Sequence, residues 1–399
     1  MNDLELFKMN VKGQSEANKM IPTVKLALFL SIIFIFANTN VTFGFDIKLS
    51  EKMEISPDSQ LLSIPWDFCV TEDGLFIIPD PKAGNIKIYD RIGKFLVVVE
   101  IIGKKGFGAD EFGEPTYCSY NKDKLAVMDY RLRKVFIYDR ISRSEFKRRQ
   151  EFHCWWLGTD IEISGNRLFI AGYQPDPDGY PYDLFYIDLS GSTKNSQIRK
   201  VQRTYLLRSY YKYGLKSFDE YERIYRNEPY SYIKAIGINS WFDVQGDEVY
   251  YAWEGDLRVI KLNIKPTLDE EPTFFGEKPP HYKKPSKSFK MPALVNAYRN
   301  RDFSDLKSAK SEMYYVRNIF TSSNNVILIY EGPNTQGKST TFRAQIYSLE
   351  GGSMKETNIP GKPDRRMWFD KEKNILYSLS SQPVEIWEKY FILKYKVEE

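Results

Sequence analysis

The chain has 399 residues, with 57 Lys and Arg against 53 Asp and Glu, a formal net charge of +4. At 42% hydrophobic and 28% charged it is globular, which excludes a disordered chain and a polytopic membrane protein. Two His and three Cys exclude a multi-His or four-Cys zinc centre and a disulfide scaffold, and the 15% aromatic content favours strands.

Residues 24–37 (VKLALFLSIIFIFA) carry one charge, Lys25, and stop short of the roughly 20 apolar residues that cross a bilayer. A short apolar core, a preceding Lys, and Thr42 and Gly44 ahead of Phe45 match a secretory signal peptide; the alternative is an uncleaved single anchor. Residues 1–19 are long and mixed in charge for an n-region, so Met20 is the more ordinary start. The expected location is extracytoplasmic, periplasmic or secreted, with membrane contact only through such an anchor. Residues 1–44 are thus an extension, and residues 45–399 are expected to form a single domain. Cys69, Cys118 and Cys154 read as buried thiols that behave as small hydrophobes.

A repeat organises the remainder. Residues 69–91 (CVTEDGLFIIPDPKAGNIKIYDR) align without a gap on residues 118–140 (CSYNKDKLAVMDYRLRKVFIYDR), at an offset of 49. Cys69 falls on Cys118, Asp80 on Asp129, and Ile88–Arg91 on Ile137–Arg140. Weaker pairs of apolar runs follow at 167–170 with 184–188, 248–251 with 258–263, 325–329 with 344–347, and 374–377 with 390–394. Each run is short, β-branched or aromatic, and bounded by Gly, Asn, Asp or Pro, the signature of a strand. A unit of about 50 residues with about four such runs predicts a propeller blade. The fold class is therefore all-β: a six-bladed β-propeller of four-stranded antiparallel blades with short helical insertions. The final copy shows three clear strands (367–369, 375–379, 391–395), and the alternating stretch 45–55 is expected to supply its missing outer strand.

Residues 102–115 (IGKKGFGADEFGEP), followed by Leu125–Asp129 and Val135–Asp139, resemble an NHL repeat: a Gly-rich turn, Phe and Pro before the innermost strand, then strands ending in Asp and aromatic-Asp. The likeness extends to residues 64–91 and degenerates beyond about residue 165, where Trp253 stands at the strand-end position of the fourth copy. It implies a propeller and no particular activity, because propellers of this type include binding platforms and enzymes.

In such a meander the second turn and the blade-to-blade link open on the same face. The lengthened turns 172–182, 331–342 and 380–389 and the links 203–240 and 265–315 therefore decorate one face, with helical stretches expected at 218–225 and 293–311. Candidate ligand-binding residues are Arg131, Trp155, Trp156, Asp160, Tyr173, Tyr180, Tyr182, Trp241, Trp253 and Trp368. Aromatic planes with a few charges suit sugars or peptides, and packing between blades is the competing role of each aromatic residue. Asp80 and Asp129 end equivalent strands and are expected to accept hydrogen bonds from their own turns rather than to act as a catalytic pair.

Gly332–Ser339 satisfies the phosphate-loop expression, but a β-rich run follows where a helix is required, and Pro333 removes an N–H donor, so a hairpin turn is expected. Pro175–Gly179 lacks the further acidic ligands of a calcium loop. The basic stretches 140–149 and 278–290 accompany no nucleic-acid motif, so no nucleic-acid partner is expected. No cofactor is expected, and no spacing singles out a metal set. The leading reading is an exported non-catalytic propeller that binds a glycan, peptide or partner protein on its loop-rich face. Its rivals are a metal-dependent hydrolase or lyase at the central channel and a structural subunit of an envelope assembly.

Overall fold

The middle strands of the repeat are nearly continuous apolar runs, which need cover on both faces. In the computed structural model they have it. The structure describes residues 45–55, 62–63, 65–108, 110–154, 157–174, 182–190, 198–203, 240–253, 256–264, 273–276, 314–332, 341–352, 355–361, 363–364, 366–384 and 387–398. Among these there are strands and turns and no helix; the helices expected at 218–225 and 293–311 and the leader lie outside the described residues.

Apart from a short parallel pair, Lys104–Lys105 with Glu111–Phe112, the described strands form antiparallel meanders of four. The first comprises Cys69–Val70, Phe76–Asp80, Asn85–Ile92 and Phe95–Ile102. The second comprises Pro115–Asn121, Lys124–Asp129, Lys134–Arg140 and Phe146–His153. The third contains Leu157–Ser164, Arg167–Gln174, Tyr182–Asp188 and Ile198–Arg203, and the fourth Ser240–Gln245, Glu248–Trp253, Asp256–Asn263 and Thr273–Phe275. The fifth runs Tyr315–Thr321, Asn325–Glu331, Phe342–Ser348 and Lys355–Asn358. The last takes Met367–Asp370, Ile375–Val384 and Trp387–Glu398 from the end of the chain, and its fourth strand, Asp46–Ile55, from the beginning.

That fourth strand pairs antiparallel with Trp387–Glu398, from Asp46↔Glu398 to Glu54↔Phe391, as its alternation predicts. It also touches the first meander through a short parallel contact, Glu54↔Phe95 and Ile55↔Leu96, so the first and last meanders share one eight-stranded sheet. Two outer edges thus meet over these two residue pairs. One expectation is corrected here: 380–389 is not a lengthened turn. Ser380 pairs with Phe391 and Val384 with Trp387, so the ladder continues nearly to the tip.

Apolar clusters fill the spaces between successive meanders. Cys69, Ile77 and Ile88 pack with Cys118, Leu125 and Val127, and Met128 and Val135 with Ile161 and Ile170. Tyr250 and Val259 meet Val316 and Leu328, and Val70 and Phe76 meet Tyr377 and Ile392, joining first to last. Phe76–Asp80 is buried throughout, whereas the outer strand Phe95–Ile102 is mostly part-buried, with Val99 and Glu100 exposed. The three cysteines are free and buried, as expected. Burial, helped by the neighbouring Cys69, raises the Cys118 thiol, and burial alone pushes Cys154 up to about 12, so neither is a poised nucleophile.

Asp80 and Asp129 take the structural role read from the repeat. Asp129 accepts the Leu132 N–H of its own turn at 2.8 Å and the Gly113 N–H at 2.7 Å. Asp80 accepts the Ala83 N–H at 3.1 Å, both Ser63 donors, and the Lys87 ammonium at 2.8 Å. Gly84 in that turn has φ +66°, and a Cβ there would lie 2.7 Å from Lys105 Cα, so glycine is required on two counts. In the fifth meander, strand Phe342–Ser348 follows the phosphate-loop expression and Gly332 N–H bonds the Thr341 carbonyl at 3.1 Å, the closure of a hairpin rather than a helix start.

Candidate functional site at the central channel

The first strand of every meander lies at an edge of its sheet, so one side of its backbone has no ladder partner. Polar side chains of the neighbouring meander supply the missing bonds. Asp67, just ahead of the first strand, accepts the Cys118 N–H at 2.9 Å, and Ser119 Oγ accepts the Ile163 N–H at 2.9 Å. Glu162 accepts the Val244 N–H at 3.0 Å, and Asp243 accepts both the N–H and, at 3.2 Å, the hydroxyl of Thr321. Asn318 donates to the Met367 carbonyl at 3.4 Å, and Arg366 donates to the carbonyl of Pro65. Each tie runs from one meander to the next, and the last returns to the segment before the first.

These strands enclose a cavity of about 400 Å³ lined by residues from all of the meanders. Trp66, Trp241 and Trp368 face it, and so do Asp67, Asp160 and Glu162. Trp66 is 42% exposed, a large apolar side chain left uncovered beside carboxylates. Trp368 is held in place by the ring of Tyr377, centroid to centroid 5.9 Å.

The carboxyls are perturbed. Burial raises Asp67 to about 7 against the backbone N–H groups of Cys118 and Phe68 and the nearby Arg366. Burial, then the charges of Asp67 and Asp243, raise Asp160 well above the usual carboxylate range. Glu162 is raised by burial and by Asp243, with Lys371 opposing. A raised carboxyl keeps its proton to higher pH than a free one, and while it keeps it the group donates a hydrogen bond as well as accepting one. Among the described residues no group of three or more His, Cys, Asp or Glu side chains is placed to hold a metal ion.

Of the residues named from the sequence, the structure brings together Asp160, Trp241 and Trp368. Arg131 stands apart from the cavity lining, exposed on a turn with its guanidinium over the Phe107 ring at 5.0 Å. Trp155, Trp156 and Tyr180 lie outside the described residues; Tyr173, Tyr182 and Trp253 sit at strand ends whose backbone alone is described. The sequence reading missed Trp66, Asp67, Glu162, Asp243, Arg366 and Lys371. A signal for two of them was available: Asp160 with Glu162, and Trp241 with Asp243, are spaced by two, which puts each pair on one face of an innermost strand.

No protein-family model matches the chain, and no curated protein matches it in sequence. Its architecture is all-β, built of antiparallel meanders, and the solved structures it resembles are propellers. A Bacteroides fragilis protein named as an exported protein superposes with TM-score 0.51 at 12% identity, over 88% of this chain and 96% of that one. A streptogramin B lyase gives TM-score 0.41 at 10% identity over 88% and 98%. The extracellular domain of a one-component system from B. thetaiotaomicron gives 0.41 at 11%, over 84% of this chain and 33% of that one. At these identities the likeness concerns the fold.

Proposed function

We propose that the chain is an exported six-bladed β-propeller that binds a glycan, with its channel and the adjoining loop-rich face as the binding surface. The observation that carries the reading is the cavity lining: three tryptophan faces beside Asp67, Asp160 and Glu162. Flat apolar faces take the C–H face of a sugar, and protonatable carboxyls exchange hydrogen bonds with its hydroxyls. A peptide or partner protein is the other ligand class such a surface takes. Export is supported by the apolar run 24–37 and by the fold's likeness to a protein named as exported.

A glycan array probed with the purified protein, followed by titration of the hits, tests the binding role. Trp241→Ala, which removes a half-buried channel face, is expected to weaken the best hit by about tenfold or more while leaving the circular dichroism spectrum unchanged. No hit on the array, or hits indifferent to Trp241, would remove the channel from the binding surface. For export, the N-terminal peptide of the protein recovered outside the cytoplasm is expected to begin at Phe45; a mature chain that starts upstream contradicts cleavage after Gly44. A hydrolase or lyase at the channel has one observation in its favour, the raised carboxyls Asp67 and Asp160. Release of products from an array hit would decide for it.

A further inference from the structure

Lys371 follows the strand Met367–Asp370 of the last meander, yet its ammonium ends among acceptors of the third and fourth. It donates to Asp243 Oδ1 and, at 2.9 Å, to the Val244 carbonyl, and lies 3.5 Å from Glu162 Oε1. The ties around the channel join each meander to its neighbour; this side chain skips the neighbours and crosses the opening. The two carboxylates have other duties as well. Asp243 holds Thr321 and Glu162 holds the Val244 N–H, so both are oriented independently of Lys371.

Two carboxylates and a main-chain carbonyl converging on one positive centre form an all-oxygen donor set of the kind that hard cations take. We propose that this is a cation site of the channel, built from Asp243, Glu162 and the Val244 carbonyl and occupied by the ammonium of the chain's own Lys371. The occupant is reachable: its side chain is 37% exposed, against 4% for Asp243 and 22% for Glu162. Burial works against its charge, but Asp243 and Glu162 outweigh burial and push its pKa up to about 12, so the ammonium persists at physiological pH. While Lys371 stays in place these carboxylates have a counterion and do not recruit a free one. The inference is independent of the glycan reading and fails or stands without it.

Chemical rescue tests it. In Lys371→Ala the vacated site is expected to take ethylammonium, so about 10–100 mM ethylammonium should raise the variant's melting temperature by about 2 °C or more. The wild type should not respond. Tetramethylammonium, with the same charge and no N–H donor, should not act on either protein. Lys371→Arg, which keeps a cation, should fold and ignore ethylammonium. An equal response in wild type and Lys371→Ala, no response in Lys371→Ala, or tetramethylammonium as effective as ethylammonium would overturn the proposal. Should Lys371→Ala not fold unaided, it is refolded from urea with and without ethylammonium: recovery only with the amine supports the site, and no recovery with it overturns the site.

Discussion

Lys87→Met is expected to destabilise the protein by about 3 kcal/mol, read from denaturant midpoints near pH 7. Lys87 and Asp80 form an ion pair with side-chain exposures of 2% and 0%, so neither charge has access to water. Removing one partner leaves the other buried without compensation, which costs more than the pair itself contributes. The magnitude sits at the low end of that effect because Asp80 keeps the Ala83 and Ser63 donors.

The second copy of the repeat provides the comparison. The position that holds Lys87 in the first copy holds Phe136 in the second. Burial pushes up Asp80 and Asp129 alike, but Lys87, Ser63 and Ala83 bring Asp80 below its ordinary value, whereas the backbone N–H groups at Asp129 do not fully offset burial and it stays raised. A depressed carboxyl contributes stability above its unfolded pKa of about 4 and loses it as the pH falls through the folded value. In Lys87→Met, Asp80 should become raised like Asp129, which reverses the sign: the variant should gain on the wild type as pH is lowered toward the unfolded carboxylate value of about 4. A deficit constant with pH would show that Lys87 acts through packing alone. The double variant Lys87→Met with Asp80→Asn should recover most of the loss.

Asp67→Asn should do the opposite and stabilise the protein above neutral pH. The folded Asp67 holds its proton to about pH 7, whereas the unfolded chain releases it near pH 4. Between those values the folded state binds more protons, so stability falls as pH rises through this window and is flat above it. The full difference is worth about 4 kcal/mol. Asparagine keeps an oxygen for the Cys118 N–H, now 2.9 Å from Asp67, and has nothing to ionise. Urea denaturation at pH 5, 6, 7 and 8 is expected to show a shallower slope in the variant, and curves that separate most at pH 8. Some slope should persist, because Asp160 and Glu162 are raised too. Parallel curves for variant and wild type would mean that Asp67 is ionised throughout and that burial does not govern it.

The parts of the fold that could be read in advance share one property: they depend on neighbours close in sequence or on an exact repeat. The matched runs at 69–91 and 118–140 mark strands because a buried strand must be apolar residue after residue, and Asp80 and Asp129 mark turns because the donors they cap lie three residues on. Asp46–Ile55 could be placed because its alternation requires one covered face and the last copy lacked a strand. The stretch 380–389 misled, because Ser and Gln in a long hairpin look like loop residues although Ser380 and Gln382 remain paired.

The channel was largely hidden for a different reason. Asp67, Glu162, Asp243 and Lys371 lie far apart in the chain and carry no motif, because their partners are backbone groups and charges of other meanders. A polar residue on an innermost strand looks the same in sequence whether it ties an edge, lines a pocket or faces water.

Order along the chain thus determined an apolar run at 24–37, a strand-rich repeat and the residues that end its strands, since these follow from local periodicity and turn chemistry. Only the folded arrangement decided which side chains meet in the channel and which of their charges are compensated. Those outcomes depend on distance and burial, which residues far apart in the chain acquire only when the sheets pack together.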